Sequence, residues 1–158
     1  MNEIQAVKTA KIEEVKKNSK KGFTLVELVV VIAILAILAA IAIPVVSSTI
    51  ASSQRSTALS DAQTLELALK EAHAQIVAKD TSVYADTATV NDVITEKSLQ
   101  SIHVGDTRTI GGDTYTLSWC AADDKCYWMN GTTNLDTSIT PGGTTVAIAT
   151  GDVVSTLF

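Results

Sequence analysis

The chain reads as an α+β protein: a long N-terminal helix, one half suited to a membrane or a protein bundle and the other amphipathic, packed on a small antiparallel β-sheet. Three observations carry that reading. Leu28–Val46 is a run of nineteen residues with no charged or hydrogen-bonding side chain. Beyond it Ala58, Ala62, Leu65, Leu69, Ala72 and Ile76 recur at steps of four and three, one apolar stripe on an otherwise polar helix. From residue 105 onward, short β-prone runs alternate with Gly-Gly, Asn-Gly and Pro-Gly-Gly turns.

Taken in order, residues 1–22 form a polar leader without a core of its own. Residues 23–53 make the hydrophobic helix, suited to a membrane or a protein bundle, and its nineteen-residue apolar run rises roughly 28 Å, about the thickness of a bilayer's hydrocarbon. Residues 54–158 form a globular head in which the helix continues to about residue 79. No helix-stopping residue lies between Ser47 and Lys79, so one rod is expected, kinked at Pro44 where a backbone N–H is missing. A polar connection over 80–104 holds a short helix at Asn91–Gln100, capped by Thr89 or Asn91. The sheet, over 105–158, starts with a hairpin of Thr107–Ile110 and Thr114–Cys120 around Gly111-Gly112. Cys126–Met129 follows a turn at Ala121–Lys125, and Thr144–Ala149 and Val153–Leu157 close the sheet. Neither the helical stripe nor one face of this sheet can be buried alone, so they pack on each other.

Charge orients the chain. Residues 1–22 carry six Lys against three Glu, whereas from Phe23 onward six basic side chains face fourteen acidic ones. A Lys-rich flank before an apolar helix marks the cytoplasmic side, which puts everything after Val46 outside. The acidic outer portion argues against a nonspecific nucleic-acid surface, which needs clustered Lys and Arg. Cys120 and Cys126 both fall in that outer portion, where a close pair reads as a disulfide pinning a hairpin. Two thiolates with no His nearby do not complete a zinc shell, and no metal or cofactor is expected.

Glu27 is the anomaly. It stands at the mouth of the apolar run with no basic residue until Arg55, and a carboxylate at that depth calls for a partner or a purpose. A secretory signal peptide cut after Ala40-Ile41-Ala42 accounts for the basic and apolar regions but not for the length of the run, its acidic opening or the helix that continues beyond. A plain single-pass anchor leaves Glu27 without a role.

Lys21-Gly22-Phe23-Thr24-Leu25-Val26-Glu27-Leu28, followed by an apolar helix containing Ala39-Ala40-Ile41-Ala42-Ile43-Pro44, resembles the class III signal of type IV pilins and type II pseudopilins. The resemblance covers about 25 residues. It implies that a prepilin peptidase cuts between Gly22 and Phe23 and N-methylates Phe23, and that Glu27 is the assembly carboxylate facing a neighbouring subunit's terminal amine. It further implies copies of the chain itself, an inner-membrane platform protein and an assembly ATPase as partners, with a single-pass membrane stage preceding an extracellular filament. Two features depart from the family pattern. Ala36 stands where a Gly often sits eight residues before the Pro, and the two cysteines enclose only five residues.

The remaining candidates have simpler readings. His73 and His103 lie beside no Cys or Ser motif and read as packing or surface residues. Asp123-Asp124 supplies too few oxygens for calcium and reads as a polar turn. Asn130-Gly131-Thr132 fits a glycosylation sequon but also a tight turn, and the turn is preferred. Trp119, Tyr127 and Trp128 read as cross-strand packing, with an exposed adhesive patch as the sharper alternative. With no phosphate loop, nucleophile elbow or HExxH, the chain is expected to be a structural subunit, not an enzyme. It polymerises into a type IV pilus on this reading. The alternatives are a pseudopilin of a secretion or DNA-uptake system and a membrane-anchored binding module that never polymerises.

Overall fold

A computed structural model describes residues 22–79 and 82–158. The leader expected over 1–21 and the helix–connection junction at 80–81 lie outside them. The chain divides into two units, Met1–Pro44 and Val45–Phe158. A helix, α1 (Leu25–Val77), contains Pro44 and both expected halves.

In the first unit, residues 22–44 bury nothing. Every one of them is exposed, including large apolar side chains such as Leu28, Val31, Ile34, Leu38 and Ile41. α1 is long and apolar enough to cross a membrane, with a mean hydropathy of 3.2 over its most apolar window. A helix apolar all round is stable only where lipid or protein surrounds it.

In the second unit the rest of α1 lies on an antiparallel sheet. Its buried residues are the six expected from the stripe together with Ala68. The sheet comprises β1 (Thr107–Ile110), β2 (Asp113–Cys120), β3 (Lys125–Asn130), β4 (Thr133–Asn134) and β5 (Thr145–Ala147), in the order β1-β2-β3-β4 with β5 also on β2. β1 and β5 share one edge of β2 end to end: β1 pairs with Asp113–Thr116, β5 with Ser118–Cys120, and β3 takes the other edge. Gly111-Gly112 supplies the first turn with φ of 63° and 101°, a conformation that favours glycine at both positions.

Leu117, Trp119, Cys126 and Trp128 face α1 in one core. Polar bonds tie the same layers together. Trp128 Nε1 donates to the Ala58 carbonyl at 2.7 Å. Arg108 pairs with Asp61 at 2.6 Å, its guanidinium 5.9 Å from the Trp128 ring, and Arg55 donates to the Leu135 carbonyl at 3.1 Å. A second helix, α2 (Val90–Glu96), starts with a capping box in which the Thr89 amide donates to Asp92 at 2.7 Å and the Asp92 amide to the Thr89 hydroxyl at 3.4 Å. Lys97 reaches Glu71 of α1 at 2.6 Å.

The structure corrects several boundaries. α1 ends at Val77, with Lys79 in the left-handed region at φ 57°. α2 stops at Glu96 because Ser98 also turns left-handed, and a short 3-10 turn, Gln100–Ile102, follows. β5 is shorter than the expected Thr144–Ala149, and β4 is an element that was not expected. Val153–Leu157 is not a closing strand. Its Val154 amide donates to Ala88, the segment winds into a 3-10 turn over Val154–Thr156, and only Val153 bridges back, to Thr89.

The expected Cys120–Cys126 disulfide is the main correction: both cysteines are buried free thiols. The register explains it. β3 begins at Lys125, so Cys120 pairs with Lys125 and Cys126 with Trp119. Directly opposed residues share a face and neighbours alternate. Cys126 therefore points into the core beneath α1, and Cys120 points to the other face with Tyr127 and Met129. Burial pushes the Cys126 thiol well up, so it is a poor thiolate.

That second face has its own clasp. Asp123 accepts from the Tyr127 hydroxyl at 3.0 Å and from the Gly142 amide at 2.6 Å, which holds the loop after β4 down. A Cβ at Gly142 would run into the same carboxylate. The Gly142 amide, and after it the Tyr127 hydroxyl, hold the Asp123 carboxyl below its ordinary value. Burial, followed by the Asp123 bond, pushes the Tyr127 hydroxyl up to about 12. A carboxyl depressed in the folded state contributes its stabilisation above the ordinary carboxylate range and loses it as pH falls through the folded value. The Gly142 amide resonance should therefore titrate below the ordinary carboxylate range, as Asp123 takes up its proton. An Asp123→Asn variant should abolish that titration, and an unchanged profile in the variant would remove Asp123 as the cause.

Candidate functional site: the helix entrance and its apolar face

The first residues of α1 hold most of the chemistry singled out in the sequence. Gly22 is open, with nothing within 4 Å of where a Cβ would stand. Phe23 is 88% exposed and Gly22 is exposed as well, so the Gly22–Phe23 bond lies between two exposed residues. Thr24 then starts the helix. Its amide and its hydroxyl each donate to Glu27 Oε2 at 2.9 Å, the Glu27 amide returns a bond to the Thr24 hydroxyl at 3.2 Å, and the Leu28 amide bonds the Thr24 carbonyl at 3.3 Å.

This is a capping box, in which two of the amide groups that a helix start leaves open are satisfied reciprocally. The position also suits a carboxylate, because amide dipoles leave positive charge at a helix start. Glu27 is thus less lonely than its sequence surroundings imply. Both bonds fall on one oxygen, and Oε1 has no hydrogen bond among the described residues. One side of the carboxylate is fixed by the helix, and the other is free for an incoming donor. Thr24 is the residue that sequence reading missed, and the Thr-x-x-Glu spacing was the signal for it.

Beyond this entrance the helix presents its apolar surface. Leu25 is 78% exposed and Ile43 65%, and no described residue of the chain covers the stretch between them. At Pro44 there is no amide for the Ala40 carbonyl, which weakens the ladder at that point. One turn on, the Ser48 and Thr49 hydroxyls both donate to the Val45 carbonyl at 2.9 Å.

The other candidates stand apart from this site. His73 stacks on Phe158 with ring centroids 4.1 Å apart, and His103 ends a 3-10 turn. Asp123 is engaged by the clasp, and no group of three or more metal-ligating side chains occurs among the described residues. Trp119, Tyr127 and Trp128 are all buried, the first and last beneath α1 and Tyr127 on the opposite face. They form no exposed adhesive patch.

The helix entrance thus combines an exposed Gly22–Phe23 step, a capped carboxylate at Glu27 and a bare apolar helix, and the second unit is a packed α+β head. Residues 17–43 match the prokaryotic N-terminal methylation motif. No curated protein and no solved structure is significantly similar to the chain. The chain therefore carries the N-terminal methylation motif, the class III signal of type IV pilins and type II pseudopilins.

Proposed function

We propose that the chain is a prepilin that is cut between Gly22 and Phe23, N-methylated at Phe23 and polymerised into a type IV pilus. The observation that carries this reading is the uncovered apolar helix over Leu28–Val46, which has lipid as one stable surrounding and copies of itself as another. Residues 1–22 act as the removed cytoplasmic leader, 23–53 as the membrane and then filament-core helix, and 54–158 as the head. A prepilin peptidase, an inner-membrane platform protein and an indirectly acting ATPase are the partners this route requires.

Cleavage leaves a cationic amine on Phe23. A neighbouring copy's amine can approach the free side of Glu27 while Thr24 holds the other side in place. Such a buried pair gains little net stability after desolvation, so its contribution is axial register, and apolar packing supplies most of the association.

Intact-mass and N-terminal analysis of surface material released by shearing tests the proposal. The expected species starts at methyl-Phe23 and lacks the leader, and electron microscopy of the same fraction shows long filaments. A mature chain starting at Ile43 would replace this reading with a simple signal peptide. Correct processing with only short, envelope-bound assemblies would favour a pseudopilus.

A further inference from the structure

The loop before β5 is held to the sheet by a single polar tie. Upstream it is anchored where the Asn134 side-chain amide donates to the Ile139 carbonyl at 3.0 Å, and downstream where Thr145 pairs with Cys120. Between those anchors the Gly142 amide's bond to Asp123, at 2.6 Å, is the one hydrogen bond that residues 140–143 make among the described residues. Pro141 has no amide to offer, and Gly142 and Gly143 have no side chain to bury. The segment nevertheless sits close. A Cβ on Gly142 would strike the Asp123 carboxylate, and one on Gly143 would stand 2.8 Å from the Ala122 Cβ and 3.7 Å from Cys120 Sγ. Cys120 is fully buried there, and with Tyr127 and Met129 it forms a small apolar cluster separate from the main core.

The Tyr127 hydroxyl from β3 and the Cys120 thiol from β2 both lie against Asp123, and Lys125 acts on it from the start of β3. Asp124 follows it in the turn, and residues 140–143 carry no titratable group. One carboxylate oxygen, Oδ2, takes both the Gly142 and the Tyr127 bonds. Hydrogen bonds to an ionised acceptor are about twice as strong as neutral ones, so protonation weakens both at once. What then holds the segment is the contact of two glycines, which bury little apolar area. The Gly142 amide, followed by the Tyr127 hydroxyl, keeps the folded carboxyl below its ordinary range, so the tie is intact above that range and is lost in acid.

We infer that residues 140–143 are an acid-released strap latched by Asp123, which lifts on protonation and bares the Cys120 thiol together with Tyr127 and Met129. The sheet stays in place when the strap lifts, because β5 keeps its pairing with Ser118–Cys120 and Cys126 remains in the core beneath α1. At neutral pH the head holds two protected thiols. In acid one of them opens to a small disulfide reagent while the other stays closed. The release is a property of the single chain and needs no polymer.

Labelling of the detergent-solubilised full chain with dipyridyl disulfide tests this, since the reagent attacks thiols in acid as well as at neutral pH. Each reaction leaves a mixed disulfide on the cysteine and releases one pyridinethione. The rate at each cysteine, read by peptide mass, is divided into the rate for the same chain unfolded in denaturant at the same pH. That ratio is a protection factor from which the reagent's own pH dependence cancels. Between about pH 6 and about pH 2 the protection of Cys120 should fall roughly tenfold or more, while Cys126 stays protected. Asp123→Ala should show the low Cys120 protection already at about pH 6, again with Cys126 protected. Equal protection of Cys120 at both pH values overturns the inference, as does a variant that protects Cys120 as well as the wild type does. Loss of Cys126 protection in step with Cys120 overturns it too, because the head then opens as a whole.

Discussion

Replacing Glu27 with Gln is expected to yield a protein that is still inserted and cut but no longer polymerises. The variant is informative because Gln serves the capping box as well as Glu does. Its amide oxygen can take the Thr24 amide and hydroxyl that now reach Oε2 at 2.9 Å, so the helix start survives. What disappears is the negative charge and its attraction for a neighbouring amine. A terminal amine docked against a neutral side chain in an apolar filament core is left uncompensated. The yield of sheared filaments should fall roughly tenfold or more, with membrane-bound, processed protein accumulating in their place. Glu27→Ala should behave alike and also fray the first turn. If the Gln variant assembles normally while the Ala variant does not, Glu27 serves the helix alone and the register role is lost.

The second large effect lies in the head. Trp128→Ala removes a side chain that is 1% exposed, packs between α1 and β3 and bonds the Ala58 carbonyl. Truncating a large buried aromatic costs about 3–5 kcal/mol, a large share of the roughly 5–15 kcal/mol that holds a domain together. The thermal midpoint of the detergent-solubilised full chain should drop by about 10–20 °C in near-ultraviolet circular dichroism. Trp128→Phe keeps most of the packing and loses the indole bond, so its cost should be only about 1 kcal/mol plus the smaller ring's packing loss. A drop of only a few degrees for the Ala variant would mean that the helix and sheet are held together elsewhere.

These residues also show where sequence reading succeeds and where it stops. The stripe from Ala58 to Ile76 was legible because a helical repeat persists over five turns, and the β1–β2 hairpin because Gly111-Gly112 marks it. Gly22, Phe23 and Glu27 stood out by motif, and Thr24 was missed although its Thr-x-x-Glu spacing to Glu27 is the signature of a capping box. The thiols turned on a single residue. A turn over Ala121–Lys125 would have set Cys120 opposite Cys126 on one face. The strand instead begins at Lys125, and a slip of one position sends every later side chain to the other side. β4, two residues long, is too short for any periodicity to show. Val153–Leu157 has the apolar content of a strand, but its amides are taken by Ala88 and by its own turn. Composition carries no trace of that competition.

Two thiols on opposite faces of one sheet also bear on how the subunit matures. The head reaches its packed state without an oxidant, a thiol-exchange catalyst or a wait for correct pairing. Its packing does not depend on oxidising surroundings, and a reductant has no crosslink between Cys120 and Cys126 to break. On the proposed route, cleavage at the helix entrance is then the irreversible commitment, and the timing of assembly rests with the peptidase and not with the chemistry of sulfur.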